Sequence, residues 1–317
     1  MTQMDLGLNL STKRTRKREF LDEMDRVVPW QKLIALIEPY YPKGRTGRPP
    51  FPIATMLRIH FMQQWFSLSD PAMEEALHDM PLYREFALLG TGMTRLPDES
   101  TILRFRHLLE AHQLSVAMLA AVNEILEKKG LMLKAGSAVD ATLISAPSST
   151  KKPGTRDPEM KQTQKGGSWY FGMKAHIGVD AESGLVHTVK CTPANVHDVT
   201  VAHELLHGKE QVAFADAGYI GIEKRKETGK VKWHVAMRPS KRRKLNKRDQ
   251  LDRIYNKIEK LKAGVRAKVE HAFRVLKCQF GYQKARYRGL AKNTAQIETQ
   301  FALVNLWMAR KRLAEAA

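Results

Sequence analysis

The sequence predicts an α/β fold in which a mixed sheet flanked by helices is preceded by an all-helical N-terminal region. Three observations carry that prediction. Apolar residues recur at helical spacing as far as Gly130, β-rich runs take over after it, and strands then alternate with helical patterns to the long helix near the C-terminus. At 317 residues and 43% hydrophobic content, the chain can bury real cores. No apolar run reaches the roughly 18 residues that a membrane span needs. The polar start Met1-Thr2-Gln3-Met4-Asp5 lacks a signal-peptide core, so the expected compartment is the cytoplasm. Cys191 and Cys278 match neither a zinc-ligand spacing nor a disulfide framework and read as buried small apolar residues.

Taken in order, Lys13-Arg14-Thr15-Arg16-Lys17-Arg18 reads as a basic arm that contacts phosphates or stays mobile. A helical pattern follows through Phe20, Leu21, Met24, Val27 and Val28, and the Gly-, Pro- and cation-rich run from Tyr40 to Pro50 reads as a loop. Ile53, Met56, Leu57, His60, Phe61, Gln64 and Trp65 mark a helix over 52–66, and Ser69-Asp70-Pro71 caps the next. Further helices are expected at 82–89 and 100–109. In the second of these Asp98 or Ser100 is the cap and Ile102, Phe105, Leu108 and Leu109 form the buried face. Arg104, Arg106 and His107 are expected elsewhere on it, either as groove-reading residues or as a solvated cationic face. Leu114, Met118, Leu119, Val122 and Leu126 continue as a helix that ends near Gly130.

Beyond Gly130 the run Ala138-Val139-Asp140-Ala141-Thr142-Leu143-Ile144 predicts a central strand. The polar stretch 145–167 reads as a surface loop. Two β-runs, 169–180 and 185–191, flank Ala181-Glu182-Ser183-Gly184 and predict a hairpin. Trp169 and Tyr170 are expected to pack in a core or on an edge, with stacking on a displaced base as the alternative. A helix over about 198–206 follows, with Asp198 as its expected cap, or else as a group that supports a site together with His176 and His197. Val212-Ala213-Phe214-Ala215 leads to Asp216, and a β-run over 233–237 precedes the cluster Lys241-Arg242-Arg243-Lys244-Leu245-Asn246-Lys247-Arg248. The last large element expected is a helix over 251–280.

The chain carries 53 Lys+Arg against 33 Asp+Glu, a formal charge of +20, which favours a polyanionic partner through counterion release. Basicity alone does not separate an enzyme from a packaging or ribosomal protein. Three carboxylates do more. Asp140 lies in an apolar strand, where an unpaired charge is costly. Asp216 sits where open α/β sheets put their ligands, although a turn residue before Gly218 is an equal reading. Glu270 lies on the long helix, where about 100° per residue brings Arg266, Glu270 and Lys277 within roughly 40° of each other beside the stripe Val265, Val269, Ala272 and Leu276. An ordinary Arg266 and Glu270 ion pair is the alternative. Brought together, the three acids could hold two divalent ions against a phosphodiester, and without metal they would raise one another's pKa values. Arg274 on the same helix, the Lys241, Arg242 and Arg243 cluster, and Arg104 and Arg106 are the further candidates for DNA contact.

Val139-Asp140-Ala141-Thr142, Tyr170-Phe171-Gly172-Met173-Lys174-Ala175-His176, Ala194-Asn195-Val196-His197-Asp198, Asp216-Ala217-Gly218-Tyr219, and Arg266, Glu270 and Lys277 at their spacing together resemble the DDE transposases of bacterial insertion sequences, in particular the insertion-sequence-five family. The resemblance covers about residues 45–310. It implies a ribonuclease-H-like catalytic domain over 131–317, a helical DNA-binding domain over 51–130 and an N-terminal arm and linker over 1–50. Asp140, Asp216 and Glu270 would be the catalytic metal ligands, for two Mg2+ ions with Mn2+ as a substitute. Arg266 and Lys277 would grip the transposon end beside the scissile phosphate. The implied reaction is hydrolysis at the element's ends, then attack of the freed 3′-hydroxyls on target DNA, with double-stranded DNA as partner and a homodimer or larger assembly on it. One departure is Ala263, which stands where relatives place a Tyr, with Tyr255 and Tyr282 out of register. A nuclease or resolvase on the same scaffold, and a DNA-binding regulator with an inactive site, remain open at this point.

Overall fold

The computed structural model describes residues 14–44, 48–90, 95–147, 156–246 and 248–315. Lys13, Arg45, Thr46, Gly47, residues 148–155 and Lys247, which figure in the sequence reading, lie outside them. The chain divides into two compact units, one from Met1–Ala117 with Leu306–Ala317 and the other from Met118–Asn305.

The first unit is helical: α1 (Arg16–Val27), α2 (Trp30–Ile37), α3 (Ile53–Phe66), α4 (Asp70–Asp79), α5 (Pro81–Phe86) and α6 (Glu99–Ala111). The basic arm is not free over its described part. Thr15 caps α1, so Arg16, Lys17 and Arg18 become its first turn; acids hold Arg14 and Arg18, while Lys17 donates to the Tyr83 hydroxyl at 3.2 Å. Arg18 donates to both oxygens of Glu85 at 2.9 and 2.7 Å, and Arg14 pairs with Asp22 at 2.7 Å. The helix α2, absent from the sequence reading, buries Leu33 and Ile37. The helix α3 is buried on every side between Thr55 and Trp65, which makes it the unit's centre. Ser69 and Asp98 cap α4 and α6 by accepting from Ala72 N and Thr101 N, as their sequence positions predict.

Arg106 departs from expectation. It is buried, donating to Asp70 at 2.9 Å and Glu110 at 3.0 Å, so it is structural and does not face a DNA groove. The physical reason is its phase. Ile102, Phe105, Arg106 and Leu109 follow the i, i+3, i+4, i+7 pattern of one helical face, and all four are buried. Arg104 is exposed.

The second unit holds most of α7 (Leu114–Lys128), then β1 (Gly136–Ser145), β2 (Lys161–Lys165), β3 (Ser168–Asp180), β4 (Val186–Pro193), α8 (Asp198–Val201), β5 (Val212–Ala215), β6 (Lys232–Val235), α9 (Pro239–Arg242), α10 (Gln250–Arg274) and most of α11 (Leu290–Glu315). The strands form one mixed sheet in the order β2-β3-β1-β5-β6, with β4 also paired to β3. The three strands β1, β3 and β4 run as an antiparallel meander, while β5 and β6 continue parallel to β1. Val139, Ala213, Ala215, Tyr219, Ile222 and Trp233 pack with Val199, Ala202 and Leu205 in a core on the sheet. The helix α10 packs against β1, β3 and β5.

Three expectations for this unit are corrected. Within the stretch read as a loop, β2 pairs with the start of β3; Lys-Gln-Thr-Gln-Lys offers no apolar face, so backbone pairing alone makes the strand. The helix over 251–280 is not the last large element, because α11 follows. Its stretch from Thr299 to Leu306 is buried all round, which leaves no one-sided stripe to read. Cys191 is buried as expected, but Cys278 is exposed. Among the described residues no helix is long and apolar enough to cross a membrane.

Gly172 marks the point on β3 where pairing passes from β2 to β4. A Cβ there would fall 2.2 Å from the Ile144 carbonyl oxygen and 2.8 Å from Ala146 N, so the close approach of the two chains requires glycine.

Candidate active site

The parallel pairing of β1 with β5 sets the site. Gly136, Ser137 and Ala138 pair with Val212, Ala213 and Phe214, and the same register carried two residues further puts Asp140 beside Asp216. Asp216 stands one residue past the end of β5, and its charge reaches the Asp140 carboxyl on β1. Asp216 also makes the turn that the sequence allowed as its alternative: it caps the 3-10 turn Ala217–Tyr219, accepting from Gly218 N at 2.7 Å.

Burial pushes the Asp140 carboxyl up to about 6; the Ala141 N–H that it accepts at 2.7 Å opposes this, Asp216 adds to it, Arg266 opposes and Asp198 adds again. Tyr219 reports the same field. Its phenol is raised well above the ordinary value by burial and then by Asp198, Asp140 and Asp216, and among the described residues its buried hydroxyl has no hydrogen-bond partner.

Asp198 was expected to cap its helix. His197 does so instead, accepting from Val199 N, which leaves the Asp198 carboxylate to receive Lys174 Nζ at 2.8 Å. His176 faces the same oxygen, with Nδ1 3.8 Å from Asp198 Oδ1 and Nε2 2.8 Å from Thr192 Oγ1. Burial pushes His176 down to about 4 against the pull of Asp198, so the ring is neutral near pH 7. Lys174 is the residue that the sequence reading missed. Its position within the landmark run ending at His176 was the available clue.

Glu270 projects from α10, which buries Val269, Ala272 and Phe273 and leaves the Glu270 side chain 62% exposed. It is engaged by Arg266 at 2.9 Å, the ion pair foreseen as its alternative role. The three carboxylates do not close into one donor cluster. Among the described residues, the group of three whose possible ligand atoms all lie within 4.8 Å of one another is His187, His207 and Glu210.

After Arg274 the helix widens into a π-helical segment, Val275–Gln279, the type of irregularity often found at functional sites. This segment carries Lys277, whose Nζ donates to Thr142 Oγ1 at 2.6 Å and to the Leu143 carbonyl at 3.0 Å, two and three residues along β1 from Asp140. Burial and then Lys165, at the end of β2, lower the Lys277 pKa. On the β2–β3 hairpin Trp169 is 69% exposed and Tyr170 is also exposed, contrary to the packed positions expected of them. Arg274, Lys241 and Arg243 are exposed, and Arg242 is half-buried, donating to Asn256 at 3.0 Å. Ala263 is exposed, while Tyr282 is fully buried.

Residues 132–306, more than half of the chain, match the family described as Transposase DDE domain. The chain belongs to that family. Residues 9–108 of the transposase match a second family, described as Transposase domain (DUF772). No solved structure matches it. Family membership makes the protein a nucleotidyl-transfer enzyme of the transposase class, and the β1 and β5 carboxylates lie within the matched region.

Proposed function

We propose that this transposase binds the terminal inverted repeats of its own insertion sequence, cleaves at the ends by hydrolysis and joins the 3′-hydroxyls to target DNA. Asp140, Asp216 and Glu270 are the proposed divalent-cation ligands. The observation that carries this is the parallel β1–β5 pairing, whose register carried past Ala138 and Phe214 sets Asp140 against Asp216, with the Asp140 carboxyl raised to about 6 chiefly by burial and further by Asp216. The donor set fits a hard cation. It offers oxygen ligands, an excess of buried negative charge and an orphaned Tyr219 hydroxyl. Mg2+ bound there, with Mn2+ as a substitute, would supply positive charge to the scissile phosphate and its attacking oxygen.

The chain's own residues do the remaining work. Lys277, anchored on Thr142 and Leu143, presents a fixed cation beside the carboxylates for the DNA backbone. Lys161, Lys165, Trp169 and Tyr170 give the β2–β3 ribbon the mix of cations and open aromatic faces that suits a strand or displaced base. Arg274, Lys241, Arg243 and, in the helical unit, Arg104 are proposed phosphate contacts. The antiparallel meander continued by two parallel strands supports a ribonuclease-H-like reading of the catalytic unit.

The test is a plasmid carrying the element's ends, incubated with the protein and Mg2+. Wild type should cleave and join, while Asp140→Asn, Asp216→Asn and Glu270→Gln should bind the ends without cutting. Cleavage by the Asp216→Asn protein would refute the ligand assignment. Cleavage by wild type without joining would make the protein a nuclease, and binding without cutting a regulator.

A further inference from the structure

We propose that His187, His207 and Glu210 form a second metal site, for a transition-metal ion of the zinc class, separate from the carboxylates of the active site and independent of the function proposed above. His187 stands on β4, and His207 and Glu210 lie in the loop that leads into β5. Their possible donor atoms all lie within 4.8 Å of one another. His207 Nε2 is 3.3 Å from Glu210 Oε1. Tetrahedral zinc with bonds of about 2.0 to 2.2 Å separates its donors by roughly 3.3 to 3.6 Å, so this pair is already spaced for one ion.

The site is built before any ion arrives. Glu210 accepts from His207 N at 2.5 Å, Gly208 N at 2.7 Å and the Ser137 hydroxyl at 2.8 Å, so its carboxylate is fixed by its own loop and by β1. Gly208, at φ +85°, makes the tight turn that brings the carboxylate back onto the loop. The His207 side chain is only 8% exposed, and among the described residues its buried Nε2 makes no well-formed hydrogen bond, its nearest acceptor being Glu210 Oε1 at 3.3 Å. A buried imidazole nitrogen left unmatched is costly unless something coordinates it. His187 Nε2 lies 2.9 Å from Ser137 Oγ, and its Nδ1 lies 2.9 Å from Thr188 Oγ1. Thr188 can therefore accept from Nδ1–H and orient the ring, as the outer partners of metal-bound histidines do. The Nδ1 of His207 accepts from the exposed Lys209 N–H at 3.3 Å, a weak bond that coordination through Nε2 would give up by moving the ring proton to Nδ1.

Two imidazoles and one carboxylate favour zinc-like ions over Mg2+, which prefers an all-oxygen shell. An ion here would clamp β4 to the loop before β5, with Ser137 of β1 bonded to its Glu210 ligand. It would therefore fix the relative position of the two strands that offer Asp140 and Asp216.

The test uses the full chain, stripped with a chelator and titrated with Co2+ in excess Mg2+. A visible ligand-field band should saturate at one ion per chain, disappear on adding Zn2+ and be accompanied by a rise in Tm. His207→Gln and His187→Gln should each abolish the band, whereas Asp140→Asn should retain it. Ser137→Ala, which keeps all three ligands, should also retain it and guards against a variant that merely misfolds. Wild type without a saturable band overturns the proposal, as does a band that survives both histidine variants or is lost in Asp140→Asn.

Discussion

Replacing Asp140 by Asn should stabilise the metal-free protein at neutral pH, although it removes a proposed catalytic ligand. The carboxyl is raised from 3.8 to about 6 in the folded state, with burial the main cause. The folded chain therefore binds this proton more tightly than the unfolded chain does. The contribution of Asp140 to stability is fully favourable below about pH 4, declines between about 4 and 6, and is lost above that. A shift of roughly two units at 1.36 kcal/mol each corresponds to about 3 kcal/mol of destabilisation at pH 7 to 8. Asparagine removes that charge but accepts less strongly from Ala141 N, at a loss of about 1 kcal/mol, so the expected net gain is about 2 kcal/mol. For a unit of this size, the gain corresponds to roughly 4 to 8 °C in Tm. The assay is thermal and urea unfolding of both proteins in EDTA, followed by tryptophan fluorescence at pH 8, 6 and 4. The gap should shrink and vanish as pH falls to 4, and Mg2+ at pH 8 should raise the Tm of wild type but not of the variant. A variant no more stable than wild type at pH 8, or a gap unchanged at pH 4, would refute the claim that Asp140 carries buried, uncompensated charge.

Arg106→Ala should destabilise the helical unit by about 3 kcal/mol, because it strands Asp70 and Glu110 in largely buried positions, and chemical denaturation would measure this. Arg104→Ala should leave the denaturation midpoint unchanged, while lowering DNA affinity uniformly across sequences and reducing the salt slope by about one; fluorescence anisotropy against salt checks it. Gly172→Ala should cost about 3 kcal/mol through the overlap of its Cβ with the Ile144 carbonyl, and an unchanged Tm would show that β1 and β3 can part there at no cost.

The sheet was legible because its central strands carry apolar runs between clear turn residues, and the same runs displayed Asp140 and Asp216 as exceptions. The hairpin at Ala181-Glu182-Ser183-Gly184 was legible for the same reason: its turn chemistry is local, with Ser183 N and Oγ both donating to Asp180 Oδ2. What was missed depended on tertiary context. The polar strand β2 exists only because β3 extends past β4, and α11 is buried on too many sides to show a stripe. Arg106 was assigned by its charge when its helical phase pointed inward. The two roles offered for Asp198, cap or supporting group, differ only in whether a partner waits across the fold, and Lys174 supplied one.

The charge balance of the site divides its acids into two kinds. Two acids already have a cation: Asp198 has Lys174 at 2.8 Å, and Glu270 has Arg266 at 2.9 Å. Asp140 and Asp216 have only backbone N–H partners at 2.7 Å, and among the described residues neither has an ion-pair partner. Uncompensated carboxylates on adjacent strands repel one another, and the raised Asp140 carboxyl registers that repulsion on top of burial. Under the proposed function, these two positions need positive charge from outside the chain, whereas Glu270 must exchange one cation for another. That exchange would release Arg266, already close enough to Asp140 to lower its pKa, to meet a DNA phosphate. The Arg266–Glu270 pair therefore does not argue against a catalytic role for Glu270. An exposed i,i+4 pair is worth only a few tenths of a kcal/mol, so a divalent cation shared with Asp140 and Asp216 would outcompete it.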